Sequence, residues 1–143
     1  MRFSRRSDKA EALKDIPLFR NLSEHDRDVL AAHVDEVEVD AGTELTHQDA
    51  HGTQVVLIVE GAAIVVRDGS QLADLGPGDV VGEMALIDGE RGTATVTTTE
   101  PSVLLVMSSQ DFNTVLEESP AFARKIMKQL VQRLRVADTR LVG

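Results

Sequence analysis

The chain contains no cysteine, tryptophan or tyrosine, and four phenylalanines are its only large aromatic residues among 143. Without cysteine there is no disulfide framework, no thiol nucleophile and no thiolate metal site. No apolar run approaches the roughly 18 residues that a membrane-spanning helix needs, and no apolar stretch follows the basic first ten residues to form a targeting signal. A cytoplasmic protein is therefore the expectation.

The net charge of −9 is unevenly distributed along the chain. Residues 1–10 form a basic arm with a charge of +3 and residues 120–143 carry +5, which leaves −17 for residues 11–119. A body this acidic repels the phosphates of DNA, and no helix-turn-helix follows the last predicted helix, so direct DNA binding is not expected. An anionic ligand must therefore be held by a local feature.

Short β-branched runs dominate residues 36–107, and turns rich in Gly and Asp separate them. Many short strands with such corners are typical of an antiparallel sandwich or barrel. Asp68-Gly69 is the best hairpin signal in the chain. A single domain over residues 1–143 is predicted, since this length is sufficient to bury a core.

Helices are predicted at both ends of the strand region. Residues 11–35 are assigned to N-terminal helices, and Ser23 is the expected N-cap of the second one. Residues 108–143 are assigned to C-terminal helices, with Ser108 near the start of the first and Pro120 in the first turn of the last.

The last helix carries an apolar seam at heptad spacing, formed by Met127, Leu130, Leu134, Ala137 and Leu141. A second apolar line shares Leu130 with this seam and also contains Phe122 and Ile126. One line can pack on the domain while the other pairs with a second copy, so a homodimer through this helix is predicted. There are two alternatives: the seam packs within its own domain, or an unidentified protein partner binds the basic helix 120–141.

The most informative segment runs from Gly76 to Val96, GPGDVVGEMALIDGERGTATV. A glycine-rich turn precedes a short helix-like piece that opens at Gly82-Glu83, and a β-rich run follows Arg91. A helix N-terminus presents unpaired N–H groups and partial positive charge, both of which favour a phosphate. The segment therefore predicts an anion site.

This pattern resembles the cyclic nucleotide-binding domains of catabolite activator proteins, cyclic-nucleotide-dependent kinases and gated channels. Residues 15–31 resemble the family's N-terminal helical bundle, and residues 81–96 its phosphate-binding cassette. The implied fold is mainly β with flanking α: an antiparallel double-stranded β-helix, or jelly-roll-like β-roll, with an N-terminal helical bundle and a C-terminal helix. The implied function is a sensor of cAMP or cGMP that signals through its C-terminal helix without a DNA-binding domain of its own.

The resemblance also implies how the nucleotide is held. Glu83 would accept a hydrogen bond from the ribose 2′-hydroxyl, and the N–H groups of Met84 and Ala85 would face the cyclic phosphate. Thr93 would offer a hydroxyl to phosphate or base. The implied ligand-binding set is Gly82, Glu83, Met84, Ala85, Arg91, Gly92, Thr93 and Ala94.

The chain departs from the family pattern at the arginine that holds the phosphate. Gly92 occupies that position, and the arginine stands one place earlier, as Arg91. A shift by one residue turns a side chain to the opposite face of a strand, although glycine can re-aim its neighbour. The alternative function is therefore a degenerate β-roll that acts as a protein-interaction or regulatory module and has lost nucleotide binding.

Neither catalysis nor a metal site is predicted. His47 and His51 stand four residues apart, but their segment is interpreted as a loop rather than a metal-binding helix. No Ser-His-Asp arrangement, nucleophile elbow or Walker motif is present, so the chain is not expected to be an enzyme or to hold a cofactor beyond the nucleotide. No aromatic cap for the base is apparent, and Leu134, Val136 or Leu141 could cover it instead.

Overall fold

The computed structural model describes residues 13, 19–51, 53–82 and 92–142, and for residues 133 and 136–142 it describes the backbone only. The predicted basic arm 1–10 lies outside the described residues. The elements in chain order are α1 (Glu24–His33), β1 (Asp35–Val39), β2 (Glu44–Thr46), β3 (Gln54–Glu60), β4 (Ala63–Arg67), β5 (Ser70–Leu75), β6 (Val80–Val81), β7 (Thr95–Thr98), β8 (Ser102–Ser108), α2 (Ser109–Glu118) and α3 (Pro120–Val142).

The described strands form two four-stranded antiparallel sheets, in the spatial orders β1-β8-β3-β6 and β2-β7-β4-β5. Asp68 and Gly69 have φ values of 52° and 79° and connect β4 to β5, with Arg67 opposite Ser70. Two consecutive positive φ values are typical of the type I′ turn that suits a two-residue hairpin. The predicted hairpin is confirmed, and so is the mainly β roll with flanking helices.

Strand β3 is buried on both faces, which explains its uninterrupted apolar sequence. Val55 and Leu57 belong to a core formed with the helices, whereas Val56 and Ile58 belong to a second core between the two sheets. Successive side chains of a strand point to opposite faces, so a central strand with cover on both sides requires apolar residues at every position.

Serine caps fix the starts of the first two described helices. The Ser23 hydroxyl accepts a hydrogen bond from the Asp26 N–H at 3.1 Å, as predicted for α1. The Ser108 hydroxyl does the same for the Asp111 N–H, also at 3.1 Å. Each bond satisfies one N–H group that the helix itself leaves without a partner.

The start of α3 is buried in the helical part of the core. The Phe122 ring lies 5.7 Å from the Phe19 ring and 6.4 Å from the Phe112 ring, measured between centroids. Ser119, directly before α3, accepts a hydrogen bond from the Phe122 N–H at 3.2 Å and donates one to Asp26 at 2.8 Å. Segments that lie far apart in sequence therefore hold the first turn of α3.

The predicted heptad seam of α3 does not form one exposed face. Leu130 packs against the helical core, while Met127 and Leu134 are exposed together with Val131. Ala137 and Leu141 lie outside the described side chains.

Although α3 is 23 residues long, neither it nor any other helix in the described part of the chain is apolar enough to cross a membrane.

Candidate functional site

The described residues bracket the predicted cassette, since they stop at Gly82 and resume at Gly92. Four predicted ligand contacts fall within them: Gly82, Gly92, Thr93 and Ala94. The other four lie outside the described residues: Glu83, Met84, Ala85 and Arg91.

A compact turn leads the chain into the cassette. The Asp79 carboxylate accepts a hydrogen bond from the Gly76 N–H at 2.8 Å and closes the turn. The Gly78 N–H donates to the Ile58 carbonyl oxygen at 2.8 Å, and the Ile58 N–H donates to the Asp79 carbonyl oxygen at 3.0 Å. The short strand β6 then pairs with β3 and ends at Gly82. The turn was predicted, but β6 was not, because two residues are too few to show a periodicity.

Gly82 is required by a close approach between two backbone segments. Its φ is +91°, a conformation that side chains rarely adopt. A Cβ atom at this position would lie 2.7 Å from the Gln54 carbonyl oxygen at the start of β3. The chain therefore enters the cassette pressed against β3.

Gly92 is pressed against a neighbouring loop in the same way. Its N–H donates to the Ala50 carbonyl oxygen at 2.8 Å, and its carbonyl oxygen accepts from the Asp49 N–H at 2.9 Å. A Cβ atom at position 92 would lie 3.1 Å from the His47 carbonyl oxygen. A side chain at position 92 would therefore begin against the backbone of residues 47–50.

Thr46 bonds to the exit of the cassette and lies beside its entry. Its hydroxyl donates to the Ala94 carbonyl oxygen at 3.1 Å, and its methyl carbon lies 3.7 Å from the place of a Cβ atom at Gly82. Just beyond it, the Gln48 N–H donates to the Thr95 hydroxyl at 3.0 Å. A single segment, residues 46–54, thus supports the entry and the exit of the cassette. Sequence reasoning missed this role, because most of the segment is interpreted as a loop and it carries no site motif.

Two side-chain pairs hold the supporting segment in place. The Gln48 side chain donates to the Asp68 carboxylate at 2.7 Å and accepts from the Asp68 N–H at 2.9 Å, which ties the segment to the β4–β5 turn. His47 contacts the Glu44 carboxylate at 2.9 Å, and both side chains are exposed. No group of three His, Asp or Glu side chains that could hold a metal ion occurs among the described residues.

The exit of the cassette presents the hydroxyl group of Thr93, and the chain segments next to it carry acidic residues. Thr93 is exposed, and its hydroxyl makes no hydrogen bond to the rest of the described chain. The supporting segment carries Asp49, and the β4–β5 turn carries Asp68. Arg67 is the one Lys or Arg in these two segments. Within residues 81–96, Arg91 is the one Lys or Arg of the sequence.

A small apolar cavity lies elsewhere, in the helical core. Its ten lining side chains, among them Leu30, Leu57, Met107 and Phe122, are all apolar. Ribose and phosphate need hydrogen-bond donors and acceptors, so this cavity is a feature of core packing rather than a nucleotide site.

Comparison with known proteins agrees with this geometry. Residues 36–119 match the family model described as the cyclic nucleotide-binding domain. The chain is 29% identical over 134 residues to the cyclic AMP receptor protein of Thermus thermophilus, a match that covers 90% of this chain and 62% of that protein. It is 38% identical over 91 residues to the Pycsar effector protein PaPycTIR of Pseudomonas aeruginosa, which covers 63% of this chain and 30% of that protein.

Solved structures show the same architecture. The catabolite activator protein of Thermus thermophilus superposes with a TM-score of 0.79 at 28% identity, over 87% of this chain and 61% of that chain. The regulatory subunit of a cAMP-independent protein kinase A from Trypanosoma brucei also gives 0.79, at 22% identity, over 90% and 46%; this likeness concerns the fold. The chain spans less than two thirds of the length of each of these relatives. Because the family match extends over more than half of the sequence, the chain belongs to the cyclic nucleotide-binding domain family.

Proposed function

We propose that this chain is a sensor domain that binds cAMP or cGMP at residues 81–96 and passes the signal on through α3. The observation that carries the proposal is the shared support of Gly82 and Gly92, which both lie against the backbone of residues 46–54. Fixing both ends of a binding segment reduces the length of chain that must be ordered when a ligand binds.

The cassette residues supply the polar contacts in this proposal. Glu83 accepts a hydrogen bond from the ribose 2′-hydroxyl, and the N–H groups of Met84 and Ala85 hold the cyclic phosphate. Arg91 supplies the positive charge, and Thr93 contributes its exposed hydroxyl. Amides at a helix start together with a guanidinium form a suitable anion site, and the acidic body makes such a local source of charge necessary.

Signalling would follow from a shift in the position of α3. Bound nucleotide would favour the arrangement in which α3 covers the base with Leu134, Val136 or Leu141. A ligand shifts such an equilibrium only by its difference in affinity for the two states. Self-association through α3 stays a prediction from the sequence, and light scattering with and without nucleotide tests it.

Calorimetric titration with cAMP and with cGMP tests the proposal, with 5′-AMP and 5′-GMP as linear controls. We expect Glu83→Gln and Arg91→Gln each to weaken binding about ten- to a hundredfold, the range expected for a hydrogen bond to a charged group. Glu117→Gln and Arg20→Gln remove the same charges at exposed positions outside the cassette and should leave binding unchanged. A folded protein that binds neither cyclic nucleotide at millimolar concentration contradicts the proposal.

One observation favours a second candidate function, the degenerate roll that acts as an interaction module. Position 92, where the family pattern has its arginine, faces the backbone of residues 47–50. If Arg91 does not reach the phosphate from its shifted position, the site lacks its cation. An Arg91→Ala protein whose thermal response to both cyclic nucleotides equals that of the unmodified chain would support this second function.

A further inference from the structure

Helix α3 presents a narrow apolar stripe to solvent. Met127, Val131 and Leu134 are 57%, 47% and 61% exposed. Their spacing of four and three residues places them one above another on a single line of the helix. On the opposite face, near the start of α3, Phe122 and Ile126 are buried in the core. The stripe is therefore not needed to fix α3 on its own domain.

A basic flank runs along one side of this stripe. Arg124, Lys128 and Arg135 are exposed and lie on the same side of the stripe, since successive helical residues are turned by about 100°. The other side of the stripe is bounded by Leu130, which packs on the core. No Asp or Glu occurs from Pro120 to Ala137. Arg124 and Lys128 form no ion pair with any other part of the chain that the structure describes.

We propose that the stripe of α3 binds an acidic amphipathic helix of another protein. Apolar residues at alternating spacings of three and four form the seam by which one helix recognises another. Charged residues beside such a seam select the partner, so a basic flank selects a helix with Glu or Asp along its matching edge. The proposal does not need the cassette to hold a nucleotide, and if Leu134 covers a bound base the stripe keeps Met127 and Val131.

The heptad seam alone predicts a homodimer, but with the basic flank included a second copy is a poorer occupant of the stripe than an acidic helix. In a parallel pair, Lys128 and Arg135 of one copy would face the apolar side that carries Leu130, where no acid stands. In an antiparallel pair, the basic flanks would face each other and repel. Neither arrangement places an acid beside Lys128.

A membrane surface is also a poorer occupant. Helices that lie in the membrane interface have a wide apolar face, commonly with Trp, Phe and Leu. The stripe here is one residue wide, and Phe122, the one aromatic residue of α3, is buried at 1% exposure. The narrow seam favours a protein helix.

The test uses a labelled synthetic peptide of about three heptads with Leu along its seam and Glu at all flanking positions. The matched peptide carries Lys in place of every Glu. Fluorescence anisotropy should show that the Glu peptide binds the full chain at least about tenfold more tightly than the Lys peptide. The difference should shrink as salt is added, because exposed charges are screened.

Two variants separate the stripe from the flank. Val131→Asn should weaken binding of the Glu peptide about tenfold or more, while Arg67→Glu, an exposed control outside α3, should not. Lys128→Glu should weaken binding of the Glu peptide and strengthen binding of the Lys peptide. An unchanged thermal midpoint checks that each variant is folded, as expected for exposed positions.

Four results would overturn the proposal. The two peptides could bind equally, in which case charge does not select the partner. Val131→Asn could leave binding intact, in which case the stripe is not the binding surface. Light scattering could reveal a dimer that Leu134→Asn dissociates, so that a second copy fills the stripe. Phosphatidylserine vesicles could bind the chain with the same dependence on Val131 and Lys128 while the peptides do not, which would assign the stripe to a membrane.

Discussion

The Thr46 hydroxyl donates a hydrogen bond to the Ala94 carbonyl oxygen at 3.1 Å, joining the end of β2 to the chain that leaves the cassette. The methyl group of the same side chain lies beside Gly82, where the chain enters. Because this threonine bonds to the exit and lies beside the entry, a change in its hydroxyl can alter the nucleotide site from a position outside the proposed set of ligand residues.

Replacing Thr46 with valine should weaken nucleotide binding and lower stability. Valine keeps the shape of the side chain and removes the donor, so the Ala94 carbonyl oxygen loses its partner. We expect the free energy of unfolding to fall by about 1 kcal/mol. Urea unfolding measures the stability, and calorimetry with cAMP and cGMP measures the affinity.

Two further variants serve as controls for Thr46→Val. Thr46→Ser keeps the hydroxyl and should retain affinity. Thr114→Val removes a hydroxyl that also donates to a carbonyl oxygen at 3.1 Å, that of Gln110 within α2, and should leave affinity unchanged. If Thr114→Val lowers the affinity for the nucleotide as much as Thr46→Val does, Thr46 has no special link to the cassette.

Alanine at Gly82 should destabilise the protein more than alanine at Gly42. Both glycines have positive φ values, of 91° and 84°, so each substitution carries backbone strain of about 1–2 kcal/mol. Nothing lies within 4 Å of a Cβ atom at Gly42, whereas one at Gly82 would meet the Gln54 carbonyl oxygen at 2.7 Å. Displacement of this backbone should bring the cost for Gly82→Ala to about 3 kcal/mol or more. Equal losses in the free energy of unfolding, measured by chemical denaturation, would show that the β3 backbone at Gln54 moves aside at little cost.

Much of the roll could be predicted from local pattern alone. The two-faced apolar run of β3, the turn at Asp68-Gly69 and the Ser23 cap each depend on residues adjacent in sequence, so short windows contain the whole signal. The cassette was recognisable for the same reason, since its glycines and polar residues are contiguous.

The parts that could not be predicted depend on distant partners. Thr46 ends β2 and Gln48 lies in the loop that follows, and only the folded chain brings them to Ala94 and Thr95. Leu130 fits two apolar lines of α3 equally well in sequence. Its place in the core is decided by the neighbouring elements that pack against it.

Restoring an arginine at position 92 should fail to improve nucleotide binding. Gly92 forms two backbone hydrogen bonds with residues 49 and 50, and a Cβ atom there would crowd the His47 carbonyl oxygen at 3.1 Å. We expect Gly92→Arg to lower the free energy of unfolding by about 1 kcal/mol or more. Its affinity for cAMP and cGMP, measured by calorimetry, should be no higher than that of the unmodified chain.

Gly76→Arg is the matched control, because a Cβ atom at Gly76 would have no neighbour within 4 Å. This substitution adds the same charge to the same acidic body without the backbone contact. A clear gain in affinity for Gly92→Arg but not for Gly76→Arg would mean that residues 47–50 readily make room for the side chain, and that the shifted arginine is a defect of the natural site.

Acid should selectively remove the stabilisation that Asp26 provides between α1 and α3. Its carboxylate accepts hydrogen bonds from the Ser119 hydroxyl at 2.8 Å and the Ser23 hydroxyl at 2.9 Å. Partial burial, the largest single influence, raises the pKa of Asp26, but these hydrogen bonds and the nearby His25 together outweigh it, so the pKa lies below its ordinary value of 3.8. A lowered pKa in the folded state stabilises the protein above the unfolded-state value, and this contribution is lost as the pH falls through the folded-state value.

Asp26→Asn should therefore lower the free energy of unfolding at neutral pH, by about 1–2 kcal/mol for a hydrogen bond to a charged group. The difference from the unmodified chain should narrow as the pH falls below about 4, where the unmodified carboxylate also becomes protonated. Urea unfolding across this range measures both effects, with Asp74→Asn as an exposed control on β5. A difference that stays constant down to pH values at which both proteins remain folded would mean that the shape of the side chain, rather than its charge, holds α1 to the start of α3.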